Sequence, residues 1–265
     1  MPVLYSYTAM IPSILPSTGP IGVFDSGYGG LTILDKIRGL MPEYDYIYLG
    51  DSARCPYGPR SFEVVYEFTL QAVSKLFELG CPLVILACNT ASAKALRTIQ
   101  QINLPVIDAT RRVLGVIRPT AECIGEITRS RHVGILATAG TIKSESYLLE
   151  IHKLSPDIVV TGEACPMWVS LVENNEYQSE GADYFVKQHI NRLLDKDPMI
   201  DTIILGCTHY PLLRSRIMAY FGESVHIVNP AYETAMDLKQ ILEEQKIANT
   251  SGEPAAYDFY VSDAA

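Results

Sequence analysis

Little in this 265-residue chain is charged: Asp, Glu, Lys and Arg make up 19% of it, below the roughly 25% usual for soluble domains. That scarcity, with 48% hydrophobic residues, describes a body with a packed core and excludes a chain dominated by disordered tails. Basic clusters are also missing. The longest is the pair Arg111-Arg112 and the formal net charge is -9, so no nucleic acid partner is expected. No run approaches the ~18 consecutive apolar residues of a membrane span, and the first residues hold neither a basic segment nor a long apolar stretch. Neither a membrane anchor nor a secretory leader is expected. The six cysteines, at 55, 81, 88, 123, 165 and 207, are dispersed and include no C-x-x-C. Zinc sites need closely spaced ligand pairs, so no metal is expected. A cytoplasmic protein with reduced thiols is the consistent reading.

What is present is a repeating grammar. Residues 1–20 carry Pro2, Pro12, Pro16 and Pro20 and read as an irregular N-terminal extension. Short apolar strands then end abruptly at small or polar residues, and helical patterns follow. The strands are Ile21 to Phe24, Tyr46 to Leu49, Leu83 to Ala87 and one opening at Val106-Ile107. The helices are Leu31 to Leu40, Phe62 to Leu79 and Ala91 to Ile102. A second series has strands at Val133 to Ala137, Ile158 to Thr161, Ile203 to Leu205 and Val225 to Val228, with helices between them and a final helix at Tyr232 to Lys246. Strands that are apolar throughout, alternating with helices, predict parallel sheets covered on both faces. The fold class expected is α/β, with two similar doubly wound parallel-sheet domains. Residues 21–115 plus 230–265 would form the first and 116–229 the second, with the active site between them.

Two stretches match. Val84-Ile85-Leu86-Ala87-Cys88-Asn89-Thr90 and Ile203-Ile204-Leu205-Gly206-Cys207-Thr208-His209 each run from an apolar strand through a small residue to a cysteine and a polar residue. In open α/β sheets ligands bind beyond the carboxyl ends of strands, so two facing halves would place one thiol on each side of a shared cleft. A buried cysteine is commonly an inert core residue; the matched pair is what points to chemistry. Racemisation takes a proton from one face of a carbon and returns one to the other, and a thiolate opposite a thiol can do this near neutral pH. Backbone N–H groups at the following helix starts suit a substrate carboxylate.

Other motifs are weaker. The loop Asp25-Ser26-Gly27-Tyr28-Gly29-Gly30 suits an anion or is a plain turn with Asp25 or Ser26 as a cap. Pro56-Tyr57-Gly58 reads as a turn presenting Tyr57 and backbone N–H groups. His209 can tune Cys207. Thr138 and Thr141 suit a carboxylate or serve as caps. Glu173 suits a substrate amine or His209, or is a solvated acid. Cys55 precedes Pro56 and ends no strand, so it is not chosen as catalytic.

Together these residues resemble the aspartate/glutamate racemase superfamily, and within it the glutamate racemase branch. The matching pieces are IGVFDSGYGG at 21–30, YLGDSARCPYG at 48–58, ACNTAS at 87–92, GTIKSESY at 140–147, ACPMWVSLVE at 164–173 and GCTHYPLL at 206–213. The resemblance implies pseudo-two-fold symmetry, an active site between two domains, no cofactor, and a homodimer that supplies D-glutamate for peptidoglycan. It implies Cys88 and Cys207 as the acid/base thiols, Asp25 assisting Cys88, and His209 with Glu173 assisting Cys207. Ser26, Pro56, Tyr57, Gly58, Asn89, Thr90, Thr138, Thr141 and Thr208 would hold the amino-acid substrate. Against the family pattern, residues 1–20 are a long extension and Asp108 to Leu114 reads as an insertion at the crossing between halves. Three other readings stand beside this one. Aspartate racemisation differs by one methylene of substrate, worth only ~1–3 kcal/mol of discrimination. A hydrolase using Cys207 and His209 would leave Cys88 dispensable. A non-catalytic amino-acid binding protein would need no opposed thiols.

Overall fold

In the computed structural model, which describes residues 19–222, 224–244 and 255–262, the apolar runs become two parallel sheets. The first half opens with β1 (Ile21–Asp25), α1 (Leu31–Leu40), β2 (Tyr46–Gly50), α2 (Phe62–Glu78) and β3 (Leu83–Leu86). A long helical run follows in pieces: α3 (Asn89–Lys94), α4 (Leu96–Thr98), a π-wound turn at Ile99–Asn103, and α5 (Leu104–Ile107). The widened turn ends two residues before Pro105, whose ring would clash with the carbonyl four residues back in a regular α-helix. β4 (Arg112–Gly115) then closes the series.

The second half contains α6 (Ile117–Ile127), β5 (His132–Ala137), α7 (Ala139–Lys143), α8 (Ser146–Leu154), β6 (Val159–Ala164), α9 (Pro166–Glu173), α10 (Glu180–Lys196), β7 (Thr202–Gly206), α11 (Arg214–Phe221) and β8 (His226–Val228). α12 (Pro230–Glu244) and β9 (Tyr257–Val261) complete the described chain. The sheet orders are β4-β3-β1-β2-β9 and β6-β5-β7-β8, with every pairing parallel. Read from the other edge, the second is β8-β7-β5-β6, which repeats β4-β3-β1-β2 strand for strand. The repeat places Cys88, after β3, and Cys207, after β7, at equivalent points.

Alternation along each strand explains the two-sided covering. Val84 and Leu86 of β3 pack with Val65, Val73 and Leu76 of α2. Leu83 and Ile85 face the other way, with Ile33 and Ile37 of α1 and Ala235, Leu238 and Leu242 of α12. In the second sheet, Ile203 and Leu205 pack with Val186 and Ile190 of α10, and Ile204 packs with Ala121 and Ile124 of α6 and Ile151 of α8. Each fully buried Leu or Ile contributes roughly 1.5–3 kcal/mol of transfer free energy. α12 leaves β8 of the second sheet yet packs on the first.

Two expectations need correction. Val106-Ile107 does not open a strand: both are helical in α5, and Val106 is 85% exposed. The strand lies at Arg112–Gly115, paired with β3, so the last three residues of the segment read as an insertion, Arg112 to Leu114, belong to the edge of the first sheet. The strand β9 has no counterpart in the sequence reading. The extension expected at residues 1–20 falls outside the described residues up to position 18, as do Gln245 and Lys246 of the last expected helix.

Candidate active site

Cys88 sits just past β3, where it caps α3: its Sγ accepts from the Ala91 N–H at 3.5 Å. The pairing of Phe24 with Leu86, continued two residues, brings Ser26 alongside, with its Oγ 3.4 Å from Cys88 Sγ. Asp25, the last residue of β1, is fully buried and accepts the Gly27 N–H at 3.0 Å. Burial raises the Asp25 carboxyl above its usual range, opposed by the charge of His209 and by hydrogen bonds. Burial and then the charge of Asp25 push the Cys88 thiol up to about 12, so Cys88 carries its proton near neutral pH.

Across the seam, Cys207 follows Gly206 at the end of β7, and its Sγ lies 3.7 Å from His209 Nδ1. His209 Nε2 donates to Glu173 Oε1 at 3.1 Å. Burial works against a charge on His209, but its bonds to Cys207 and Glu173, with the charges of Cys207 and Asp25, prevail and hold it up at about 10. The hydrogen bond from His209 in turn holds Glu173 below its ordinary range. The Cys207 sulfur thus faces an imidazolium, a proton donor and an electrostatic partner for a sulfur anion.

The halves meet through these same loops. Thr208 Oγ1 donates to Asp25 Oδ1 at 3.5 Å and lies 3.4 Å from His209 Nδ1. A Cβ on Gly29 would overlap Thr208 Oγ1 and the His209 ring, and one on Gly30 would stand 2.5 Å from Asp25 Cβ. Glycine at 29 lets the first loop lie against the second, and glycine at 30 lets that loop fold back onto Asp25. Cys88, with Ser26 at its sulfur, and Cys207, with His209 at its own, thus stand on the two sides of the loops joined by Thr208 and Asp25.

Beside them lies a closed triangle of hydroxyls. Thr90 of α3 stands 2.9 Å from Thr138 and 3.3 Å from Thr141, and those two are 3.1 Å apart, Oγ1 to Oγ1. Thr138 also caps α7 by accepting the Thr141 N–H. All three are buried. Gly58 lies against Thr138, and its carbonyl accepts the Gly140 N–H at 3.0 Å. Asn89 is occupied, its Oδ1 accepting from Tyr147 Oη at 2.6 Å.

Tyr57 differs from its expected placement. Its ring is buried between Phe24 and Phe68 and its hydroxyl donates to Asp51, so the turn presents backbone there rather than the side chain. Pro56 is exposed, and its carbonyl accepts from Arg60 Nε at 3.3 Å. Asp51 also accepts from Arg54 and, at 2.7 Å, from the hydroxyl of Ser262, which follows β9. The sequence reading gave no part to Asp51 or Tyr147 and set Cys55 aside, and the structure brings all three beside the residues it chose. Asp51 and Cys55 lie within the matched motif YLGDSARCPYG and Tyr147 ends GTIKSESY, so their signal was present without an assigned part. Among the described residues no His, Cys, Asp and Glu cluster has metal-site form, and no helix is long and apolar enough to cross a membrane.

Comparison with known proteins identifies the family. The family model described as Asp/Glu/Hydantoin racemase matches residues 32–237. A glutamate racemase of Geobacter metallireducens is 40% identical over 244 residues, 92% of this chain and 87% of that protein. The crystal structure of a glutamate racemase isoform from Bacillus anthracis superposes with a TM-score of 0.86 at 37% identity, covering 94% of this chain and 90% of that one. The Francisella tularensis glutamate racemase, solved in complex with D-glutamate, gives 0.84 at 34% identity over 94% and 90%. With two repeated α/β halves, a cysteine at the same strand end in each, and these relatives along nearly its whole length, the chain belongs to the Asp/Glu/Hydantoin racemase family and, within it, to the glutamate racemases.

Proposed function

We propose that this enzyme interconverts L- and D-glutamate through Cys88 and Cys207, without a metal or organic cofactor. The observation that carries the reading is the equivalence of the two thiols: each ends the matching strand of a repeated sheet, and both lie where the halves meet. One sulfur, as thiolate, removes the α-proton from one face, and the other, as thiol, delivers a proton to the opposite face. Cys88 begins with its proton, which suits it to donate in one direction. Cys207, beside the cationic His209, is its acid/base partner on the other side. In the reverse direction the roles exchange.

The α-proton of an amino acid is weakly acidic, and without an electron sink the site must stabilise charge as it develops on the α-carboxylate. Thr90, Thr138 and Thr141 supply three convergent hydroxyls, and substrate would break their mutual bonds and receive them. Asn89 and Thr208 add polar groups beside the two thiols, Ser26 lies at Cys88, and the 56–58 turn contributes backbone. Residues 21–115 plus 230–265 and residues 116–229 act as two domains that close over substrate and exclude water. The reading extends to a homodimeric, cytoplasmic enzyme supplying D-glutamate for peptidoglycan.

The test is incubation of the reduced protein with L-glutamate in deuterated water, with L-aspartate in parallel. Loss of optical activity by circular dichroism, with deuterium entering Cα of glutamate alone by NMR, is the expected result. The same behaviour with aspartate would move the specificity to the shorter acid. No exchange from a folded sample would defeat the reading.

A further inference from the structure

A third thiol, which the two-thiol scheme leaves idle, touches both sides of the seam. Cys55 lies in the loop after β2, and its Sγ donates to Glu173 Oε1 at 3.3 Å. The same oxygen accepts from His209 Nε2 at 3.1 Å. Cys55 comes from the first half, Glu173 and His209 from the second. On its other side Cys55 packs on Gly27: a Cβ built there would stand 3.4 Å from the sulfur. The Gly27 N–H is one of the donors that hold Asp25. One side chain therefore runs from the loop that fixes the carboxylate beside Cys88 to the carboxylate that fixes the imidazole beside Cys207.

The titratable groups facing Glu173 are His209 and Cys55. Those bearing on Cys55 are Glu173, Asp25 and Cys88, and those bearing on His209 are Cys207, Glu173 and Asp25. Burial, then Glu173, raises the Cys55 thiol well above its ordinary range, so it acts as an S–H donor and not as a nucleophile. The Glu173 side chain is 40% exposed and sits at the last position of α9. Its aim at His209 depends on partners rather than on enclosure.

Resting on the assignment of His209 and Glu173 to Cys207, we propose that Cys55 is a positioning residue for racemisation, donating to Glu173 across the seam and holding that carboxylate on His209 Nε2. Because the bond joins the two halves, it forms only when they are apposed, and it ties closure to the setting of the His209–Cys207 pair. Two donors on one carboxylate oxygen also favour its ionised form.

The test compares Cys55→Ala and Cys55→Val, which remove the donor, with Cys55→Ser, which keeps one. The pH profile of kcat/KM for glutamate is measured for each, beside thermal unfolding. Both donor-free variants should lose about threefold to tenfold in kcat/KM. Their acid limb should move to higher pH, because Glu173, with one donor fewer, takes up its proton sooner as pH falls. Cys55→Ser should keep the wild-type limb and most of the activity. Val retains side-chain bulk should the Ala variant fail to fold. An unmoved acid limb in the donor-free variants, or a Ser variant that falls as far as Ala and Val, would overturn the proposal. Wild-type α-deuteration in the same buffers separates the two levels. If the wild type does not exchange glutamate, the functional reading fails; if it does and the donor-free variants match it, only the role of Cys55 fails.

Discussion

Cys88 ends its strand beside a buried carboxylate, Asp25, whereas Cys207 ends the equivalent strand beside a cationic imidazole, His209. The backbone repeats and the charges do not. Enantiomers in water have equal free energy, so kcat/KM must be the same in both directions however unequal the two sides are. Opposed thiols satisfy the symmetry of the reaction. The neighbours differ: burial and the charge of Asp25 keep the proton on Cys88, while Cys207 has an imidazole beside it. Symmetry therefore resides in the fold and asymmetry in the few residues after each strand end, with Asn89-Thr90 on one side and Thr208-His209 on the other.

The comparison breaks most completely if either thiol is removed. Cys88→Ala and Cys207→Ala should each lower racemisation by about 10²–10⁴-fold or more in both directions, the range for loss of a positioned acid or base, as read by circular dichroism. Residual α-proton exchange, followed by NMR in deuterated water, should be confined to one enantiomer in each variant, and to opposite enantiomers in the two. A single variant with near-normal turnover would end the two-thiol assignment.

Neutralising each flanking charge sharpens the contrast. Asp25→Asn and His209→Gln should both reduce kcat/KM, by roughly 10–10²-fold, with different signatures. Asp25 raises the Cys88 thiol, so Asp25→Asn should speed alkylation of Cys88 at fixed pH. Equal or slower labelling, read by peptide mass spectrometry, would contradict that. His209 is raised from 6.5 to about 10 in the folded protein. Its contribution to stability is then full below pH 6.5 and disappears as pH rises towards 10. The melting temperature of His209→Gln should accordingly fall less steeply than wild type across that window. Parallel curves would show that His209 is not held as the cation.

The smallest effect concerns the hydroxyl triangle, which neither side owns. Thr90→Val should raise KM about tenfold with a lesser change in kcat, since a hydrogen bond to a charged group is worth roughly 1.5–3 kcal/mol. A pure kcat loss would place Thr90 in the transition state alone.

Both strand-end cysteines were legible because an apolar run followed by a small residue and a cysteine leaves few places for the sulfur, and because the pattern occurs twice. Helix and strand periodicity placed most of the elements for the same reason. It failed where apolar residues lie on the surface. Val106 and Ile107 resemble a strand opening, but the widened turn at Ile99–Asn103 carries the helical run past Pro105 and through them. β4 carries arginine at its start and sits at a sheet edge, which weakens its apolar signature. Tyr57 was read from turn composition, and only the tertiary fold shows that Phe24 and Phe68 enclose its ring. The bonds joining Thr90 to Thr138 and Cys55 to Glu173 span 48 and 118 residues, distances over which local patterns say nothing.

Ser262 anchors Asp51, a residue 211 positions earlier, and Asp51 in turn receives Tyr57 from the turn that runs on to Gly58. On a ribosome both reactive thiols would emerge, and the second sheet could assemble, before the last strand of the first sheet existed. The loop that begins at Asp51 would wait for a contact of high sequence separation, the kind that forms slowly. Activity would then be the last property acquired in synthesis, and a nascent chain would hold both cysteines in place while still inert.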